Sequence, residues 1–162
     1  MDARGVLRLV MEYGDMVTRA YVEDLSDADL LVRSVPASNH IAWQLGHMIA
    51  GTAHMLAELG HKAPALPEGF QAAYGKDTAA SDDPAQFATK ATYLALMEEV
   101  KAACLAAIDA TPESALDQPA PESMREYAPT VASVLCLLGG HWLMHVGQFV
   151  PIRRKLGKAP LF

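Results

Sequence analysis

A chain of 162 residues suits one domain around one core, here expected over residues 1–162, and excludes a multidomain machine. Hydrophobic residues at 51% against 20% charged exclude a disordered chain. Lys+Arg 13 against Asp+Glu 19 gives a net charge of −6, which offers no basic field for nucleic acid.

Helical periodicity fills four long segments, and Gly and Pro punctuate the spaces between them, so the expected class is all-α. Val6, Leu9, Val10, Tyr13, Val17, Tyr21 and Leu25 recur at steps of three and four, which predicts a first helix over 6–25 with these residues inward. Ser26-Asp27-Ala28-Asp29 reads as a cap leading into a turn, and Val35-Pro36 excludes helix there because the residue before proline avoids the α region. Asn39 is the expected N-cap of a second, largely enclosed helix through Leu59, with Gly60 where a C-terminal glycine belongs.

Residues 61–82 hold Pro64, Pro67, Gly69 and Gly75 and read as a crossover able to wall one end of a bundle. Asp83-Pro84 pairs an N-cap with proline at the first helical position and predicts a third helix from there to Ala110. Thr111-Pro112 ends it, and four prolines in 112–129 predict a second irregular connection. The last helix is expected from Thr130 to Leu156, stopped by Gly157 and kinked at Pro151, where a backbone hydrogen bond is lost. A hydropathy window flags Val131 to Ile152 as a candidate membrane span. Ser133, His141, His145 and Gln148 interrupt it, so an enclosed bundle helix and no membrane partner are expected.

Two cysteines, Cys104 and Cys136, cannot build a disulfide framework; both are read as small buried apolar residues in a reduced cytoplasm. The opening Met1-Asp2-Ala3-Arg4-Gly5 lacks the basic start and apolar core of a signal peptide, which agrees with a cytoplasmic location.

Six histidines stand out beside four phenylalanines and two tryptophans. His40, His47, His54 and His61 are seven residues apart, so one helix returns them to nearly one face. Seven residues span about 10.5 Å of rise, too far for one ion, and the stripe is no site by itself. His141 and His145, at i and i+4, place two imidazoles within reach of a common ion. Spacing alone serves equally well for two core histidines bonded to carbonyls or to each other.

The segment Asn39-His40-Ile41-Ala42-Trp43-Gln44-Leu45-Gly46-His47 resembles the stretch in which DinB-like (YfiT-like) proteins present one metal histidine. His141-Trp142-Leu143-Met144-His145-Val146-Gly147-Gln148 is similar to that family's HxxxHxGQ signature, and Arg153-Arg154-Lys155-Leu156-Gly157 resembles its tail. The resemblance implies a four-helix bundle of up-down-down-up topology with a crossover connection. It also implies a divalent metal at one end, held by His47, His141 and His145. Where relatives often carry charged residues, this chain has Trp142, Leu143, Met144 and Val146, which makes the surroundings drier.

Of the other candidates, His54 is expected to hydrogen-bond in the pocket or the core, and His40 and His61 to be surface or capping residues. Gln148 is placed either beside a metal ligand or in an ordinary interhelix bond. Trp43 and Trp142 are expected in the core or a pocket wall, and Gly46 and Gly147 at close helix approaches.

Three neutral imidazoles leave a divalent ion its full charge and an open position. Histidine ligation suits zinc or nickel first, with iron also compatible. Glu58 lies about 16 Å of helical rise from His47, so no carboxylate is positioned as a general base. That favours a thiol S-transferase acting on a small electrophile, the activity that the resemblance implies with low-molecular-weight thiols such as bacillithiol or mycothiol. Two alternatives stay open: a hydrolase using metal-bound hydroxide, and a non-catalytic metal-binding stress-response bundle, with a homodimer through an exposed helix face. The catalytic residues themselves are left unassigned.

Overall fold

The structure is a computed structural model that describes residues 2–159 and Leu161. Met1, part of the opening segment read above, lies outside the described residues. The described residues form helices and turns, with one isolated antiparallel bridge between Pro119 and Thr130.

Helix α1 spans Ala3–Val22, earlier than periodicity suggested, because the Asp2 side chain accepts from the Gly5 amide and starts it. The inward face agrees with the expected one at Val17, with Leu25 buried just beyond the helix, and departs from it at the N-terminal half. Leu7, Met11, Val17, Thr18 and Val22 are buried, whereas Val6, Leu9 and Tyr13 are about half exposed. Two apolar stripes share this helix, and spacing cannot choose between them. The short α2, Asp27–Leu30, begins with a reciprocal cap in which Ser26 and Asp29 bond each other's backbone amides.

Helix α3, Ile41–Glu58, is capped by His40 rather than by Asn39: His40 Nδ1 accepts from the Trp43 amide at 3.0 Å. His40 is accordingly a cap but not a surface residue, since it is fully buried with Nε2 3.2 Å from the Ser81 carbonyl. Gly60 ends α3 at φ 76°, the left-handed conformation that glycine adopts without strain.

The connection after α3 is less irregular than its composition suggested. It contains α4, Phe70–Ala73, and single turns at Lys76–Thr78 and Pro84–Gln86. Asp83 does cap a proline-led turn, but Phe87 is extended, and α5 starts only at Lys90 with Thr89 as its N-cap, running to Ala110. Turns at Glu113–Ala115 and Glu122–Met124 precede α6, Val131–Lys155. Thr130 and Ser133 cap α6 reciprocally, and the helix continues through Pro151 to a glycine stop at Gly157, φ 71°.

Four long helices pack side by side, α1 against α5 and α6, and α3 against the same two. Arg8 pairs with Asp109 at 2.6 Å and Arg19 with Glu98 at 3.0 Å, so α1 and α5 run in opposite directions. Gly14 faces Gly139, and the Tyr21 carbonyl accepts from Arg153 at 2.8 Å, so α1 and α6 run together. Gln44 meets His145 and Thr52 meets Trp142, each at 2.9 Å, which makes α3 antiparallel to α6. Helix α6 has the length and composition of a membrane span. Its Val134, Leu135, Leu138, Trp142, Phe149 and Ile152 are nonetheless buried in the core that the helices share.

Close approach falls on glycines other than those expected. A Cβ at Gly139 would stand 2.5 Å from the Val10 carbonyl oxygen, and one at Gly14 would stand 2.8 Å from the Gly139 carbonyl oxygen. Gly147 has nothing within 4 Å, and Gly46 makes room for the Tyr74 ring rather than for a helix. Cys104 is buried as expected, but Cys136 is exposed, because its position on α6 faces outward.

Candidate metal centre

The antiparallel pairing of α3 and α6 brings His47 beside His141 and His145, although 94 residues separate the first two in sequence. One nitrogen of each ring lies within 4.8 Å of the others. His141 and His145 present their Nε2 atoms to each other at 3.0 Å. Ring centroids are 5.4 Å apart for His47 and His141 and 5.2 Å for His47 and His145. The i, i+4 spacing put two of these rings together locally. The third arrives only through tertiary packing.

Each ring has a different setting. Trp43, four residues before His47, stacks on it at 4.8 Å with a 9° interplanar angle, and the Tyr74 backbone lies near the same ring. His145 is held by Gln44, whose Nε2 donates to the Asn39 carbonyl at 2.9 Å. That donation turns Oε1 toward His145 Nδ1, 2.9 Å away, so Nδ1 carries the proton and Nε2 presents a lone pair. His141 Nδ1 is buried without any hydrogen-bond partner. Protein groups alone do not complete the polar requirements of this cluster.

Burial is the main cause that lowers the pKa of all three rings. His141 is pushed down to about 4 with help from the His47 charge, and His145 to about 4 with help from His141 and His47. At neutral pH the rings are therefore uncharged donors of lone pairs. The residues fit a divalent metal ion on three grounds: three neutral imidazoles, a 3.0 Å Nε2 pair, and one ring oriented by an outer hydrogen bond. Two nitrogens bound to one ion at about 2.0–2.1 Å lie no more than roughly 4.2 Å apart, and the Nε2 pair meets that limit.

These shifts make the acid stability of the metal-free protein predictable. The folded values near 4 lie below the ordinary 6.5, so between those limits the unfolded chain binds more protons. Stability contributed by the neutral rings is complete above about pH 6.5 and is lost as pH falls toward 4. The thermal midpoint of chelator-treated protein is expected to drop across this window, and to drop less in His141→Phe. Equal pH dependence in the two proteins would contradict the assignment.

The remaining sequence candidates lie elsewhere. His54 is exposed beside a cavity that His141 also lines. His61 Nε2 is 3.2 Å from Thr111 Oγ1. Gln148 is exposed, so the amide that orients a site histidine is Gln44 and not Gln148. Trp142 belongs to the core and Trp43 to the site wall. Glu58 accepts from Ser123 at 2.6 Å, and no carboxylate joins the three-histidine group among the described residues. Sequence reasoning missed Gln44 and Tyr74. An amide three residues before His47 in an otherwise apolar helix was the available signal for the first. Nothing local marked Tyr74.

Residues 11–149 match the family model described as the DinB superfamily. No curated protein and no solved structure matches the chain.

Proposed function

Because the chain belongs to the DinB superfamily and brings three imidazoles to one point, we propose that it is a metal-dependent enzyme that transfers a low-molecular-weight thiol to a small electrophile. His47, His141 and His145 hold the metal, with zinc or nickel first by donor chemistry and iron also compatible. A divalent ion held by neutral imidazoles keeps its double charge and favours the deprotonated form of a thiol beside it.

The protein's own residues provide orientation and dryness. Gln44 fixes the His145 tautomer. Trp43 covers one face of the His47 ring and keeps water from it. In the transfer, the thiol sulfur forms the new bond to carbon, the leaving group departs with its bonding pair, and the thiol proton passes to solvent. The observation that carries this reading is a three-histidine cluster that no carboxylate joins, among the described residues, to serve as general base.

The test is a conjugation assay on zinc- or nickel-loaded protein, with bacillithiol and mycothiol offered against a panel of alkylating and epoxide electrophiles. Thiol-dependent loss of electrophile that disappears in His47→Ala supports the reading. Electrophile or ester hydrolysis without thiol would transfer it to a hydrolase, and silence in both assays with metal bound would favour a binding protein.

A further inference from the structure

Residues of α3 and α6, with Tyr127, line a cavity of about 320 Å³ that shares His141 with the histidine cluster. Gly51, Met55, Leu137 and Met144 give it an apolar wall, His141 closes the end toward the cluster, and Tyr127 and His54 stand exposed at its edge. Tyr127 at 62% and Met144 at 61% are the two most exposed large apolar side chains among the described residues, and both border this one cavity. Exposed apolar surface concentrated at a concave site marks a place where something binds. The volume lies at the lower end of the range for small-molecule sites, about 300–1,000 Å³.

We propose that this cavity binds the apolar group of a small substrate, an aromatic ring or a short branched alkyl chain, and so selects which electrophile reaches the histidine cluster. The occupant is a small molecule because the cavity shares His141 with that cluster: a ligand seated here has one end against a site histidine. The substrate role rests on the metal-dependent reading above, whereas the apolar binding itself does not. Gly51 lines the cavity beside His141. A Cβ there would meet only the His141 Cε1 atom, at 3.9 Å, an ordinary contact, so a side chain at this position starts without a clash beside the cavity that Gly51 lines. Replacing this glycine also raises helix propensity, and circular dichroism of Gly51→Leu checks that the fold is kept.

The experiment uses protein with methyl-¹³C methionine, titrated with benzyl alcohol, with zinc, nickel and iron content measured on the same samples. Met55 and Met144 line the cavity, and buried Met11 and Met97 lie outside it as internal controls. Saturable shifts of the Met55 and Met144 methyl signals, with at least a tenfold loss of affinity in Gly51→Leu, are expected. Absence of saturation, equal shifts at Met11 and Met97, or unchanged affinity in Gly51→Leu overturns the proposal. Zinc bound with no saturable shift overturns the cavity alone. Saturable shifts in protein that takes up neither zinc nor nickel nor iron leave the cavity standing and overturn the metal reading.

Discussion

Alanine at His145 is expected to reduce the affinity for zinc by more than a hundredfold, and replacement of Gln44 by leucine to reduce it by about 10–100-fold. The grading follows from what each substitution removes. His145→Ala deletes a donor nitrogen from a group of three, and two rings cannot complete a site of this type. Gln44→Leu leaves all three rings in place but frees His145 Nδ1 from its acceptor, so tautomer and ring orientation are no longer fixed. Alanine at His47 or His141 should match His145→Ala. Competition with a chromophoric chelator, on untagged protein, measures all four variants. Equal affinity in wild type and His145→Ala would remove the site, and a Gln44 variant as weak as His145→Ala would mean that the amide supports the fold rather than the ligand.

The second large effect concerns the seam between α1 and α6. Gly139→Ala places a methyl group 2.5 Å from the Val10 carbonyl oxygen and 2.7 Å from the Met11 backbone, and no rotamer change can relieve a clash with main chain. The two helices must separate along a contact that also carries Gly14. Overpacking of this kind costs about 1–3 kcal/mol and occasionally more, against roughly 1 kcal/mol gained in helix propensity. A net loss of about 1 kcal/mol is expected, or a thermal midpoint lower by roughly 2–4 °C. The adjacent Gly140 has nothing within 4 Å, so Gly140→Ala should be neutral or stabilising by up to about 1 kcal/mol. Thermal denaturation of the two variants side by side checks the pair, and equal midpoints would contradict the packing.

What could be read early was whatever depends on neighbours along the chain. Thr130 as a cap, Gly60 and Gly157 as stops, and the enclosed character of α3 follow from a few consecutive residues. The errors have the same origin. Asp83-Pro84 starts a turn, as its chemistry requires, but the chain at Phe87 is held extended and the helix waits for Thr89. Local signals say where a helix can begin, not whether the surrounding structure continues it. On α1 and just beyond it, spacing placed Val17 and Leu25 correctly but also chose Val6, Leu9 and Tyr13, because a helix apolar on two sides carries no internal mark of which side meets the core.

The candidate site divides in the same way. His141 and His145 are one helical turn apart, so their juxtaposition was present in the sequence by itself, and His47 entered by resemblance to a family motif rather than by geometry. Gln44 on His145, Tyr74 beside His47 and over Gly46, and the orphaned His141 Nδ1 became visible only once α3 and α6 were side by side. The physical reason is range. Helix formation, capping and i, i+4 pairing are set by interactions within one or two turns and are written in consecutive residues. Burial, tautomer and pKa depend on what a distant segment brings against a side chain, and only the tertiary structure decides that.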